Sequence, residues 1–206
     1  MIKAAIFDMG GVLVGREWQI IYKKIAKKLK ISEEKVREIS EPLLREWNIG
    51  KIDEKAFWGE FGNKIGKRVD HKFTKDLWFR SYQDYTKDIN GSWEILAELK
   101  NRGIRLVLIS NTIPLHIQAH IEVGRIDRLK KLGFKIFVWS CEVGVLKPNP
   151  RIYEITLKKL GFPAKACVFV DDKLANIEAA KKIGMEGIHF QNPEQLREDL
   201  TKLGLL

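Results

Sequence analysis

At 206 residues the chain has the length of one large domain, or of a core domain carrying a smaller insertion, against about 100–200 residues for a typical domain. A composition of 45% hydrophobic and 31% charged residues, with both signs well represented, excludes a disordered or fibrous chain. The formal charge of +10 is spread evenly, with 18 basic and 13 acidic residues in 16–88 against 19 and 14 elsewhere; it describes a lysine-rich solvated surface, not a nucleic-acid footprint.

The first apolar run, Ile2 to Phe7, stops abruptly at Asp8 and a Gly10-Gly11 pair, as a short buried strand feeding a loop does. Residues 16–88 show helical spacing and no strand. Tyr22, Ile25, Ala26 and Leu29 make one stripe. Ser32 opens a second helix with Glu33 and Glu34 in its first turn, Asp53 caps a third through Phe57 and Phe61, and 72–84 reads as a fourth. Trp18, Trp47, Trp58 and Trp78 fall in this stretch and read as its core packing. Further on, Ser92 is expected to cap a helix running to Gly103, and the run Ile104 to Ile109 ends at Ser110-Asn111-Thr112. Lys135 to Trp139 ends at Ser140-Cys141; Asn149 and Pro150 then suit the N-cap and first position of a helix. Cys167 to Val170 ends at Asp171-Asp172, Ile177, Ala180 and Ile183 keep helical spacing, Gly187 to Phe190 is the last apolar run, and a final helix starts near Pro193.

Near-continuous apolar strands alternating with helices define an α/β class, with a parallel sheet covered on both faces. The expected organisation is a core of 1–15 and 89–206 and a helical insertion over 16–88. No apolar run approaches the roughly 18–20 residues of a membrane span. Asp8 breaks the first run where a signal peptide would continue. Cys141 and Cys167 form neither a CxxC pattern nor a disulfide framework. A cytoplasmic protein with no nucleic-acid or membrane partner is expected; no feature specifies an oligomeric state.

In open parallel sheets, ligands bind beyond the carboxyl ends of the strands. Asp8, Ser110, Asn111, Asp171 and Asp172 end strands, and Lys147 lies in the loop after the run at 135–139. Asp8 and Asp172 offer hard oxygen ligands that suit Mg²⁺ together with a substrate phosphate. Such a metal would screen the repulsion between an attacking carboxylate and a phosphate dianion. Asp8 has the chemistry of a carboxylate nucleophile. Ser110 and nearby N–H groups can donate to phosphate oxygens, and Lys147 brings charge to the phosphate and to Asp8. Three other patterns read as structural. Gly62 to Arg68 misses the P-loop spacing, Gly10, Gly11 and Gly15 miss the GxGxxG spacing, and His116 and His120 lack the glutamate of a zinc-protease helix.

Taken together, IFDMGGVLV (Asp8), LVLISNT (Ser110), VGVLKPNPRIY (Lys147) and VFVDDKLANIEAAKKIGM (Asp171, Asp172, Asn176) resemble the haloacid dehalogenase-like (HAD) hydrolase superfamily. The resemblance is to the branch with a small helical (C1-type) cap, in particular the subfamily IA variant 3 phosphatases, and it covers essentially the whole chain. It implies a Rossmann-like three-layer core with a five-stranded parallel sheet, an inserted helical cap and a phosphoaspartyl intermediate on Asp8. It also implies Mg²⁺ held by Asp8, Asp172 and the carbonyl of Gly10, with Asp171 in the same acidic pair, and phosphate contacts from Ser110, Asn111 and Lys147. A small phosphorylated substrate, such as a sugar phosphate, follows. Arg16, Trp18 and Trp47 are candidates to face it from the cap. A metal-independent 2-haloacid dehalogenase-like hydrolase and a catalytically silent binding module are the competing readings; the Asp171-Asp172 pair opposes the first.

Phosphatases of this family usually carry a second Asp two residues after the nucleophile as general acid and base, and this chain has Gly10 there. General acid–base catalysis contributes about 10²–10⁴ in rate. Leaving groups that depart well without a proton, such as anomeric sugar phosphates or acyl phosphates, are therefore expected to be preferred. In a series of aryl phosphates the rate of phosphoryl transfer should fall steeply as the leaving phenol becomes less acidic. A flat dependence would show that another group protonates the leaving oxygen.

Overall fold

The computed structural model describes residues 1–15, 19–69 and 71–206. In chain order, β1 (Ala4–Phe7) is followed by four helices, α1 (Gln19–Leu29), α2 (Glu33–Asn48), α3 (Glu54–Ile65) and α4 (His71–Tyr85). Then come α5 (Asn90–Asn101), β2 (Arg105–Ser110), α6 (Pro114–Glu122), α7 (Arg125–Lys131), β3 (Ile136–Trp139) and the short α8 (Ser140–Val143). The chain finishes with α9 (Pro150–Leu160), β4 (Cys167–Asp171), α10 (Leu174–Lys182), β5 (Glu186–His189) and α11 (Pro193–Lys202).

All strand pairings are parallel, in the order β3-β2-β1-β4-β5. Residues of β1 alternate between the sheet's two faces, and both faces are covered. Ala5 and Phe7 join Leu106, Leu108, Val168 and Val170 in a cluster completed by Trp93, Leu96 and Leu99 of α5 and Leu196 and Leu200 of α11. Ala4 and Ile6 join Val107, Ile109, Cys167 and Phe169 in a second cluster, with Ile152 and Tyr153 of α9 and Ile177 and Ala180 of α10. The result is a three-layer, Rossmann-like α/β core. Burial on both faces explains why these strands read as unbroken apolar runs.

Local signals hold at the starts of α2, α3 and α9. The Ser32 hydroxyl accepts from the Lys35 N–H at 3.1 Å, the Asp53 carboxylate from Ala56 at 2.8 Å and the Asn149 side chain from Arg151 at 3.0 Å. Ser92 is a correction: α5 begins at Asn90 with Ile89 at its N-cap, and Ser92 is buried in the first turn. Tertiary structure sets that start. Ile89 donates its N–H to the Leu13 carbonyl at 3.0 Å, so the helix begins where the returning chain leaves the segment after β1.

The four helices between β1 and α5 have a core of their own, built from Ile21, Ile25, Trp47, Phe57, Phe61 and Trp78 and closed by Ile113, Leu115 and Ala119 on and beside α6. Where the chain leaves and re-enters the sheet layer, Gly15 donates its N–H to the Lys87 carbonyl at 2.8 Å, and Val14 forms an antiparallel bridge with Asp88. Arg125 of α7 clamps this crossing. Its Nε donates to Asp88 Oδ1 at 2.6 Å and its Nη2 to the Thr86 carbonyl. Both cysteines are free thiols, and burial pushes each up to about 11. No helix among the described residues is long and apolar enough to cross a membrane.

Candidate active site

The strand order reverses beside β1, where β2 and β3 extend one way and β4 and β5 the other, and the crevice at such a switch point is the expected ligand site. Phe7 pairs with Val170 in register, so Asp8 stands beside Asp171, the last residue of β4. The Asp8 N–H continues the ladder to the Val170 carbonyl at 2.9 Å. The chain then turns back at once. Leu13 and Val14 donate to the Met9 carbonyl at 2.9 and 3.0 Å, with Gly11 at φ +88°, a conformation that favours glycine.

Lys147 reaches this crevice from the loop between α8 and α9. Its ammonium donates to Asp171 Oδ2 at 2.7 Å and to the Ile109 carbonyl at 3.2 Å, and it forms an ion pair with Asp8 Oδ1 at 2.8 Å. The three side chains are between 0 and 6% exposed, so the ion pairs lie out of water, where their strength is greatest and a lost partner costs most. Lys147, expected among the phosphate contacts, holds the two carboxylates and also lines the cavity over Asp8.

Asp171 is held in its turn. Its Oδ1 accepts from the Lys173 N–H at 2.8 Å and from Asn176 Nδ2 at 2.9 Å, while Oδ2 accepts from Lys147 and from Asn176 at 3.0 Å. Asp171 therefore anchors Lys147 and Asn176 from within the acidic group it forms with Asp8 and Asp172. Asn111 Nδ2 donates to the Lys147 carbonyl at 2.9 Å, and its Oδ1 accepts the Lys147 N–H at 2.8 Å, so it fixes the Lys147 backbone while also lining the cavity over Asp8.

Carboxylate oxygens of Asp8, Asp171 and Asp172 come within 4.8 Å of one another. Three carboxylates brought this close make a set of hard oxygen donors of the kind a divalent cation takes. Oxygen donors of Asp8 and Asp172 fit such an ion. Tyr153 closes the cluster from behind, donating its hydroxyl to the Asn176 carbonyl at 2.9 Å. Burial, then the charges of Asp171 and Asp8, push that phenol well above its usual range, so it stays protonated.

A cavity of about 280 Å³ opens above the cluster. Asp8, Gly10, Ser110, Lys147 and Lys173 line its floor; Leu44 and Asn48 of α2, Trp78 and Tyr82 of α4 and His116 of α6 line the facing side. Trp47 is buried among Phe57 and Trp78 and does not line this cavity. Arg16 and Trp18 lie outside the described residues.

His116, set aside on sequence grounds, belongs to the cavity. Trp78 Nε1–H donates to His116 Nε2 at 2.9 Å, and the Tyr82 ring stacks on the imidazole with centroids 3.8 Å apart and planes 8° off parallel. The Tyr82 hydroxyl pairs with His120 Nε2 at 3.0 Å. Burial holds both imidazoles down to about 3, helped at His116 by His120 and at His120 by Arg125. Both are neutral, and His116 keeps its proton on Nδ1. The available signal was position: two histidines four apart, in a helix starting three residues beyond the Ser110-Asn111 rim, share one helix face.

With this geometry in view, comparison with known proteins places the chain. Residues 2–184 match the family model for haloacid dehalogenase-like hydrolases, and the chain belongs to that family. It is 28% identical to the sesquiterpene phosphatase astK of Aspergillus oryzae, over 91% of this chain and 89% of that protein. It is 25% identical to the D-ribitol-5-phosphate phosphatase of Bacteroides thetaiotaomicron, over 98% of each. Some longer curated relatives are spanned over as little as 19% of their length. Among solved structures, a HAD family enzyme of Bacteroides thetaiotaomicron in complex with magnesium and inorganic phosphate shares the fold, at a TM-score of 0.74 and 22% identity over 93% of this chain and 96% of that one.

Two outcomes follow from the site. Replacing Lys147 with Met leaves Asp8 and Asp171 buried without their shared cation. Urea unfolding near neutral pH should show a loss of about 3–5 kcal/mol, and a loss below about 1 kcal/mol would contradict the bridge. The histidines give a pH dependence. Their folded pKa lies below the unfolded value, so as pH falls from about 7.5 to about 5 the unfolded chain takes up protons that the folded chain refuses. Stability should fall by about 2 kcal/mol per histidine. A His116→Gln, His120→Gln double variant should lose clearly less over the same range; an equal loss would show that other groups carry it.

Proposed function

We propose that this chain is a Mg²⁺-dependent, cytoplasmic phosphatase of small phosphorylated metabolites that works through a phosphoaspartyl intermediate, with 16–88 acting as a cap over a core of 1–15 and 89–206. The observation that carries the reading is the buried Lys147 bridge between Asp8 and Asp171 at the switch point, with Asp172 beside it. The phosphatase names of the two relatives and the magnesium and phosphate bound by the structural neighbour support it.

The residues take the following parts. Asp8 Oδ1 is fixed by the Met9 N–H at 2.7 Å and by Lys147, which orients the carboxylate towards the cavity. One of its oxygens attacks phosphorus, and the bond from phosphorus to the leaving oxygen breaks with its electron pair going to the leaving group. Water then attacks phosphorus, the aspartyl–phosphate bond breaks, inorganic phosphate departs and the Asp8 carboxylate is restored. Ser110, beside Asp8 on the cavity floor, is placed to donate to phosphate oxygens. A Mg²⁺ held by Asp8, Asp172 and the Gly10 carbonyl would supply positive charge against the transferring phosphate. Asp171, Asn111 and Asn176 position Lys147 and the acidic cluster.

Hydrolysis of p-nitrophenyl phosphate tests this directly, because its leaving group departs without help from position 10. Turnover with Mg²⁺ should disappear in EDTA and fall by at least about a thousandfold in Asp8→Asn. Folded protein that turns over no faster than that variant would contradict the reading. Chloroacetate would then separate a dehalogenase from a silent relative.

A further inference from the structure

We infer that the cavity facing Asp8 selects a small, flat, unsaturated leaving group, making aryl or enol phosphates the preferred substrates over polyol phosphates, because its far side presents ring faces whose polar edges are already paired with each other. The inference rests on the phosphatase reading and names the substrate class of that same site.

Among the described residues the wall is formed by Leu44, Asn48, Trp78, Tyr82 and His116. Trp78 spends its one N–H on His116 Nε2, and Tyr82 turns its hydroxyl to His120, whose other ring nitrogen faces Arg125 at 3.4 Å. Asn48 donates its amide to the Leu44 carbonyl at 2.7 Å. What these residues offer a ligand is chiefly carbon surface, the stacked Tyr82–His116 pair and the Leu44 side chain, with the buried Trp78 indole holding His116 from behind. Asn48 Oδ1 and His116 Nδ1–H remain as polar handles. A polyol brings several hydroxyls, most of which would lose water here and gain no partner, and a site rejects such a ligand strongly. A flat unsaturated ring instead meets offset and edge-on ring contacts.

Size and charge agree. At about 280 Å³ the cavity falls just below the roughly 300–1,000 Å³ typical of sites for drug-sized ligands, a size that suits a phosphate with a single ring. Among the described lining residues the cations, Lys147 and Lys173, lie on the floor with Asp8, and His116 on the wall is neutral. Gly10 points the same way from the chemistry. A phenolate or enolate is stabilised by its own π system and leaves without the proton that position 10 cannot give, whereas a polyol alkoxide needs it.

Phenyl phosphate, glycerol 3-phosphate and acetyl phosphate separate the possibilities. Binding of the first two to Asp8→Asn in Mg²⁺ buffer, followed by calorimetry, should favour phenyl phosphate by about tenfold or more, and Leu44→Asn in the same background should shrink that ratio at least about threefold. Glycerol 3-phosphate binding as tightly as phenyl phosphate would overturn the inference. Turnover of acetyl phosphate by the wild-type protein would leave the phosphatase reading standing in that case. No Mg²⁺-dependent turnover of acetyl phosphate would overturn both. Leu44 is half-buried on α2; should that variant fail to fold, the ratio in Asp8→Asn alone decides.

Discussion

One buried ammonium organises the chemistry of this protein. Lys147 Nζ lies within hydrogen-bond distance of carboxylates that end two neighbouring strands and of a carbonyl on a third. A charge so far from water is tolerated where every donor and acceptor around it is matched. The surroundings meet that demand: Asn111 grips the Lys147 backbone in both directions, Asn176 and the Lys173 N–H fill Asp171, and Met9 holds Asp8. Each of these contacts depends on the register that sets Phe7 against Val170. A parallel sheet with β1 at its centre gives a rigid frame for placing three acidic groups and one cation together, and rigidity of this kind makes electrostatic stabilisation effective.

The inserted helices meet the core through a different physics. Their contact with α6 is aromatic and neutral: Trp78 and Tyr82 sit on His116 and His120, and burial keeps both imidazoles uncharged. This junction both holds the insertion in place and forms one side of the cavity over Asp8. The crossing of the two connecting segments is held separately, by the Gly15–Lys87 hydrogen bond and the Arg125 clamp on Asp88 and Thr86. Anchoring at the connection and chemical character at the contact surface are thus supplied by different residues.

The sheet was legible because its strands are buried on both faces and end in polar residues, so Asp8, Ser110 and Asp171 could be read as one rim. Helix starts at Ser32, Asp53 and Asn149 were legible because capping is local. What sequence could not convey was what each polar atom is spent on. Asn111 and Asp171 read as ligand groups by type, and that their hydrogen bonds also tie down Lys147 and its neighbours is a fact of three-dimensional pairing. Ser92 misled because a long-range bond from Ile89 to Leu13 sets the start of α5. Trp47 packs inside the insertion, as its place in a helical apolar stretch suggests, and does not reach the rim. The place of His116 at the cavity is not legible from local spacing, because its partners Trp78 and Tyr82 lie more than thirty residues away in the chain.

The central claim is that Asp8 becomes covalently phosphorylated. The most direct measurement is mass spectrometry of the protein quenched in acid during steady-state turnover of acetyl phosphate with Mg²⁺, followed by peptide mapping. The account predicts one phosphoryl group on the peptide carrying Asp8, absent in Asp8→Asn and lost on treatment with hydroxylamine, which cleaves acyl phosphates. Steady hydrolysis with unmodified Asp8, or a phosphoryl group that persists in Asp8→Asn, would contradict it.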